Sequence, residues 1–500
     1  MDRRADSFWR RGAGGGGRHR RAAAVAVLVA AAAARGEDPG DLRSLVVAAL
    51  EVNPRVGAAR QELLAAQADA SGVAGFFDPR AILGAGAAQE GRTIPGTPRD
   101  LTVPDDGWAA QAGLEQAVLP GFYLGAGIAE RRLEGAGDGD EDFYQTLGGV
   151  QVRVPLLKDR GFVTWHSRRA AAWAAWRRAA GALVGAMQDV RRDVERGYVT
   201  YQQALVNVEV AAAATARARR LVEEAGELVR LEATPAYQLH TARLQMALSE
   251  EEEESARRLA RDARLALAVL AGEATAAAVA EAPVDLVAWG AGIERPATEG
   301  VADCLPRRGP GIEIDAAIRE AQARLREAQT ETEADLSVRA AYTWEGEDRS
   351  DVLGDASPIG GDGAGGEVSV FWTHPLGARA SRSRVAALRA RLAGLAEQRR
   401  RLEWDVAADL DRARNAFDAA RERMACIEGA VQEARDALAA EEERFRLGDG
   451  TSRQVLDAQK DLTAALRRRN DIASDLLRAW ADHRHAAGLG VTPPQMDPSP

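Results

Sequence analysis

The chain has 500 residues, among them 65 Lys or Arg and 75 Asp or Glu, for a net charge of −10. Two to four ordinary domains fit that length, and basic residues dispersed among acidic ones exclude nucleic acid as a partner. The only cysteines, Cys304 and Cys426, are too few and too far apart for a zinc site or a disulfide framework.

The N-terminus reads as an export address. Arg18, Arg20 and Arg21 precede an apolar run from Ala22 to Ala34, followed by small residues and then Glu37 and Asp38. This pattern predicts a signal peptide over residues 1–36, and the run is too short to span a bilayer as a helix. No later stretch reaches 18 consecutive apolar residues, so no transmembrane helix is expected.

From Asn53, NPRVGAARQELLAAQADA has a helical period, and FFDPRAILGAGA from Phe76 reads as a strand. WAAQAGLEQAVL (Trp108 to Leu119) and FYLGAGIAER (Phe122 to Arg131) form the arms of a hairpin turned by Pro120-Gly121. Val150, Val152 and Val154 alternate with Gln151 and Arg153 up to Pro155. A helix of about 70 residues then reaches a turn at Leu231 to Pro235, and a second of about 35 ends at Gly272.

The pattern recurs. GPGIEIDAAIREAQARLREAQ from Gly309 is helical and EADLSVRAAY from Glu333 is strand-like; Val368, Val370 and Trp372 alternate with polar residues, apart from Phe371. After Pro375 come another long helix, a turn at Leu447 to Thr451 and a helix ending at Gly488. Duplication on this scale predicts two structural repeats, 41–290 and 300–490, with a disordered tail at 491–500. The first repeat holds about 35 additional residues, centred on a hairpin at about 97–131. That hairpin either enlarges a strand wall or forms a surface flap.

The alternating segments suit membrane β-strands with one apolar and one polar face, and the stretches Gly91 to Asp106 and Gly346 to Gly366 read as long loops at one end. A few strands cannot close a barrel and lipid tolerates no open edge, so several copies would share one. The long helices are broken too often by Arg, Asp and Glu to lie in lipid; they need neighbours to pack against.

RFRLGDGTSRQVLDAQKDLTAAL (Arg444 to Leu466) resembles the turn and following helix of the TolC family of bacterial outer-membrane efflux proteins. Asn53-Pro54 resembles the Asn-Pro that opens that family's first helix. Val154-Pro155-Leu156 and His374-Pro375-Leu376 resemble its strand-to-helix junctions. The resemblance covers roughly Asp41 to Gly490. It implies a mainly α fold with a membrane β-barrel part, in which duplicated long helical hairpins and β-hairpins form a trimeric α-barrel/β-barrel tube. It also implies an outer-membrane location with the helices in the periplasm, and a passive export role in a tripartite efflux pump or type I secretion system. Partners would be a homotrimer, a periplasmic adaptor (membrane fusion) protein, an inner-membrane pump or ABC transporter, and outer-membrane lipid.

By the same resemblance Gly448, Asp449, Gly450 and Thr451 form an adaptor-docking tip turn. Asp457 and Gln454 match the two positions that form acidic rings at the family's pore entrance, with Gln454 replacing an aspartate. The corresponding turn of the first repeat, RLEATPAYQLH from Arg230, lacks the glycine, and Ala334 replaces the proline that leads the second repeat's strand. In the family's usual arrangement the shared barrel has twelve strands, a number the extra hairpin could exceed.

Other clusters read as structure. Asp138, Asp140 and Asp142 have calcium-loop spacing, but no Gly at position six and Gly149 where a bidentate Glu belongs. Glu250 to Glu254 wraps the whole helix as a charged face, and Trp165, Trp173 and Trp176 read as packing residues. His483 and His485 have no metal-ligand spacing. No catalytic constellation and no cofactor are expected. Two other classes compete with a channel: a periplasmic adaptor, which carries one hairpin rather than a duplicated unit, and a secreted coiled-coil structural protein, which leaves the alternating segments idle.

Overall fold

A computed structural model describes residues 40–88, 92–94, 101–103, 107–133, 143–231, 235–277, 279, 281–348, 363–447 and 449–491. The signal peptide, the Asp138–Asp142 segment, Gly448 and nearly all of the tail lie outside these residues. Seven main helices run in chain order: α1 (Gly40–Val52), α2 (Pro54–Gly72), α3 (Val163–Arg230), α4 (Ala236–Ala271), α5 (Gly309–Thr330), α6 (Arg379–Arg446) and α7 (Ser452–Ala486). The strands are β1 (Arg80–Ala88), β2 (Arg92–Ile94), β3 (Leu101–Val103), β4 (Gly107–Val118), β5 (Phe122–Leu133), β6 (Phe143–Pro155), β7 (Asp335–Asp348) and β8 (Gly365–Thr373).

Both long helices have 68 residues, and the helices that return from them have 36 and 35. The expected lengths of about 70 and 35 are met. By compactness the chain divides into a helical unit (up to Leu63, Arg177–Ile314, and from Gln398 on) and a strand-bearing unit (Leu64–Trp176 and Asp315–Glu397). Each sequence repeat contributes to both units, so repeat boundaries and compact units are different partitions of the chain.

In the helical unit the helix ends follow local chemistry. Asn53 Oδ1 accepts from the Arg55 N–H at 3.0 Å, and Pro54 occupies the first helical position, where a missing N–H costs nothing. The Asn53 amide also donates to the Leu270 carbonyl at 3.1 Å, satisfying an orphan of the last turn of α4. Gly272 at φ +87° then ends that helix, and Gly488 at φ +67° follows α7. The core forms as separate clusters along the helices. One gathers Leu42, Leu45, Val184, Val194, Tyr198 and Leu267; another gathers Phe417, Leu476, Leu477 and Trp480. A third, made of Leu221, Ala225, Leu438, Phe445, Val455 and Leu456, joins the two helical hairpins near their turns.

Close approach of backbones locks α3 against the start of α5. A Cβ on Gly309 would lie 2.3 Å from the Gly185 Cα, closer than any side chain can sit. Gln188 clamps the contact by donating to the Arg307 carbonyl at 2.8 Å and accepting from the Gly309 N–H at 3.1 Å.

The strand-bearing unit is an antiparallel sheet in the order β1-β4-β5-β6-β7-β8, with β2 and β3 as a separate two-stranded ribbon. The expected hairpin is present as β4 and β5. Arg80↔Glu115 through Ala88↔Gly107 pair β1 with β4, while Tyr123↔Arg153 through Leu133↔Phe143 pair β5 with β6. The hairpin is therefore inserted within the sheet. The stretches expected to be long loops are also partly strand: the first contains the β2–β3 ribbon, and the second begins inside β7 and ends inside β8. Beneath one end of the sheet Phe76, Phe77, Tyr123, Phe162 and Trp165 pack edge to face, and the Trp165 indole donates to the Val73 carbonyl at 3.0 Å. Trp165 is thus a packing residue, as expected.

Candidate membrane surface and helix-turn site

Because cross-strand partners share a face, the register assigns every side chain of the sheet to one of two sides. One side carries Leu83 of β1, Ala112 and Leu114 of β4, and Leu124, Ala126 and Ile128 of β5. It continues through Val150 and Val152 of β6, Val338 and Tyr342 of β7, and Val368 and Val370 of β8. These groups face outward into solvent: Leu83 is 80 % exposed and Val368 75 %. The other side carries Gln111, Glu115, Arg131, Gln145, Gln151, Arg153, Arg339 and Ser369.

Aromatic residues rim the apolar side. Trp108 and Tyr144 lie 6.3 Å apart and Tyr342 and Trp344 6.4 Å apart toward one edge, while Trp372 is exposed toward the other. A carboxylate, Glu130, falls in register with this side, but it is buried and accepts from the Thr146 hydroxyl at 2.6 Å. A broad apolar band with aromatic rims, backed by a polar face, is the chemistry of a strand wall in a bilayer. Among the described residues no helix is long and apolar enough to cross a membrane.

At the strand-to-helix junctions the structure places Pro155 as the last residue of β6, paired with Ser337. The Leu156 N–H beyond it still donates to the Leu336 carbonyl at 2.7 Å. Pro375 stands two residues beyond β8, before Gly377 at φ +90° and the start of α6. Neither proline has a backbone N–H to give a ladder, so each sits at or just past the end of its strand.

The second helix turn lies in the helical unit. Gly448 is outside the described residues. The Asp449 N–H donates to the Arg444 carbonyl at 3.0 Å, and Thr451 opens α7 as its N-cap. Gln454 folds back so that its Oε1 accepts from the Thr451 N–H at 2.8 Å and from the Thr451 hydroxyl at 3.0 Å. Its side chain therefore serves the helix start. The Ser452 N–H reaches across to Gln238 Oε1 of the first repeat at 3.4 Å, a partnership between residues 214 apart that no local pattern signals.

One turn further on, Asp457 is exposed. It lines an open groove of about 470 Å³ between α6 and α7 together with Glu433, Glu441, Gln454 and Asp461. Sequence reasoning paired Asp457 with Gln454; the acidic neighbour on this face is Asp461, whose i,i+4 spacing was legible. Arg444 pairs with Glu441 at 3.0 Å and tempers the charge. Among the described residues no three His, Cys, Asp or Glu side chains are placed to hold a metal ion.

The remaining clusters have structural partners. Glu250 pairs with Arg219 and Glu252 with Arg467, both across helices, while Glu254 pairs with Arg261 on its own helix. His485 contacts Asp189 at 2.9 Å, and this contact holds the Asp189 carboxyl below the usual carboxylate range. Cys304 is buried; burial first, and its contact with Glu299 second, push its thiol up to about 11.

No family model and no curated protein matches the sequence. Solved structures do. The outer membrane protein VceC of Vibrio cholerae aligns over 89 % of this chain and 96 % of its own, with a TM-score of 0.64 and 18 % identity. The CmeC outer membrane channel of Campylobacter jejuni aligns over 92 % and 88 %, with a TM-score of 0.63 and 14 % identity. A membrane protein from Pseudomonas aeruginosa aligns over 91 % of both chains, with a TM-score of 0.65 and 17 % identity. At such identities it is the fold that is shared, and by its fold this subunit is built as those membrane proteins are, the subunit architecture that the TolC resemblance implied.

Proposed function

We propose that the chain is the outer-membrane channel subunit of a bacterial export system, a passive conduit that works with a periplasmic adaptor and an inner-membrane pump or ABC transporter. The observation that carries this reading is the two-faced sheet. Its apolar side is exposed, its rims are aromatic, and β1 and β8 stand at its ends in the strand order with no further partner in the sheet. A membrane wall cannot leave such edges open. Three copies joined edge to edge close the barrel, with the strands in the outer membrane and the helical hairpins in the periplasm. The turn around Asp449, Gly450 and Thr451 is the adaptor-facing end. Asp457 and Asp461, repeated by threefold symmetry, form the acidic entrance of the pore. An adaptor or a secreted coiled coil would have no use for an exposed apolar sheet.

The reading is tested by expressing the full chain in a Gram-negative host, fractionating the membranes and measuring the mass of the detergent-extracted protein. Recovery from the outer membrane as a trimer is expected. A folded monomer in the soluble periplasmic fraction would overturn the reading.

A further inference from the structure

In the strand order β4 and β5 stand between β1 and β6, and among the described residues β4 is the only neighbour of β1 in the sheet. The apolar side passes through this hairpin without a break. Leu83, Ala112 and Ile128 lie in one cross-strand row, and Ala81, Leu114, Ala126, Val150 and Tyr342 lie in the next. Leu114 is 57 % exposed, more than Val150 at 43 % on β6. A flap lying on a protein surface would bury one of its faces, and this hairpin leaves its apolar face as open as its neighbours do.

The opposite face is built differently from a packed core. Gly113, Gly127 and Gly149 form a row across three strands, and a Cβ on Gly113 or Gly127 would meet only neighbouring backbone at 3.2 to 3.7 Å. Gln111 covers Gly84 and Gln151 covers Gly125, so polar amides and bare backbone line much of this side. Ile82 and Leu147 are the larger apolar groups among them, and Arg131 stands beside them. Such a surface borders water.

Resting on the channel reading above, we propose that the hairpin Gly107–Leu133 is transmembrane wall. Each copy then supplies six strands, and the shared barrel has eighteen, not twelve. Barrel diameter grows roughly linearly with strand number, so the lumen at membrane level is about one and a half times as wide, with roughly twice the cross-section. The membrane end of this conduit therefore sets little size limit of its own. Selection falls to the helical part, and the cargo class extends to bulky solutes or unfolded polypeptide.

Nitroxide labels on single cysteines test this. Cys426→Ser removes the exposed native thiol, and the buried Cys304 stays. Labels go at Ala112 and Leu114 on the apolar side of β4, at Gln111 and Glu115 on its polar side, and at Val150 on β6 as the reference. The trimer is reconstituted in phosphatidylcholine vesicles, and relaxation by oxygen is compared with relaxation by a water-soluble nickel chelate. Labels at Ala112 and Leu114 should match Val150 in favouring oxygen, and those at Gln111 and Glu115 should favour nickel. Nickel access at Ala112 and Leu114 equal to that at Gln111, with Val150 still in lipid, would put the hairpin outside the bilayer and overturn the proposal alone. Nickel access at Val150 as well would overturn the channel reading and the proposal with it. Should labelling disturb assembly, strands are counted by electron cryomicroscopy of the unlabelled trimer: eighteen supports the proposal and twelve overturns it.

Discussion

At the scale of single residues, the helical unit is held by a few buried polar groups with no room for error. Arg191 is nearly buried and binds Glu195 at 2.7 Å; Arg484 approaches the same carboxylate at 3.6 Å. The second arm of Arg191 donates to the Gly490 carbonyl at 2.5 Å, and a Cβ on Gly490 would lie 1.5 Å from the guanidinium. This cluster pins the end of the chain beyond α7 to the long helix α3. Glu195→Ala strands the arginine charges in a dry site and should cost about 3–5 kcal/mol, read as a lowered thermal midpoint of the detergent-solubilised protein. Glu195→Gln keeps part of the hydrogen bonding and should cost less.

His483, on the same helix, gives a pH signature. Burial, then Arg414, holds its imidazole below the ordinary value of 6.5, against weaker opposing effects of Glu299 and the Ala297 backbone. Its Nε2 is buried and makes no hydrogen bond. As pH falls below 6.5 the unfolded chain takes up a proton that the native chain refuses. Stability is therefore full above that value and declines below it. Thermal melts between pH 7.5 and 5 should show a decline that His483→Gln reduces; identical slopes in both proteins would remove His483 as its source.

At the scale of elements, the hairpin between α6 and α7 joins a mechanical cap to an electrostatic face. Asp457 is exposed and one exposed carboxylate contributes little to folding, so Asp457→Asn should leave trimers intact. It should also weaken cation preference, and weaken block by multivalent cations by about an order of magnitude, in planar-bilayer recordings. Asp461→Asn should act in the same direction. Gln454→Asp is a less clean addition of charge, because it also removes the amide that caps Thr451. Unchanged block in both asparagine variants would return the groove to ordinary helix surface.

The sequence made these helices legible because their punctuation is local: Pro54, Gly272 and Gly488 act through their own backbones, and the Asn53 side chain caps an N–H two residues on. The two-sidedness of the strands was legible for a similar reason, since alternation needs only neighbours in the chain. What could not be read was pairing. Nothing within Trp108 to Arg131 tells whether β4 seeks β1 or a surface, because that choice rests on residues far away in sequence. The Ser452–Gln238 contact was hidden likewise, since it joins elements distant in the chain.

At the scale of the whole molecule, duplication explains why one sheet and one set of helices draw on both repeats, and the single place where the repeats meet in the sheet is the β6–β7 ladder. There Pro155 lies opposite Ser337 and Tyr144 opposite Asp348. Its two sides are separated by a complete helical hairpin, whereas β4–β5 is closed by a tight turn. Local pairings form fast, and pairings between distant segments wait on a large loss of chain entropy. A growing chain can thus assemble β1, β4, β5 and β6 early and must hold the free edge of β6 until the second repeat arrives. In that interval it is a sticky meander, open to pairing with any other nascent chain. The β6–β7 ladder is thus the pairing that closes last, and a chain truncated before its second repeat keeps β6 as an open edge.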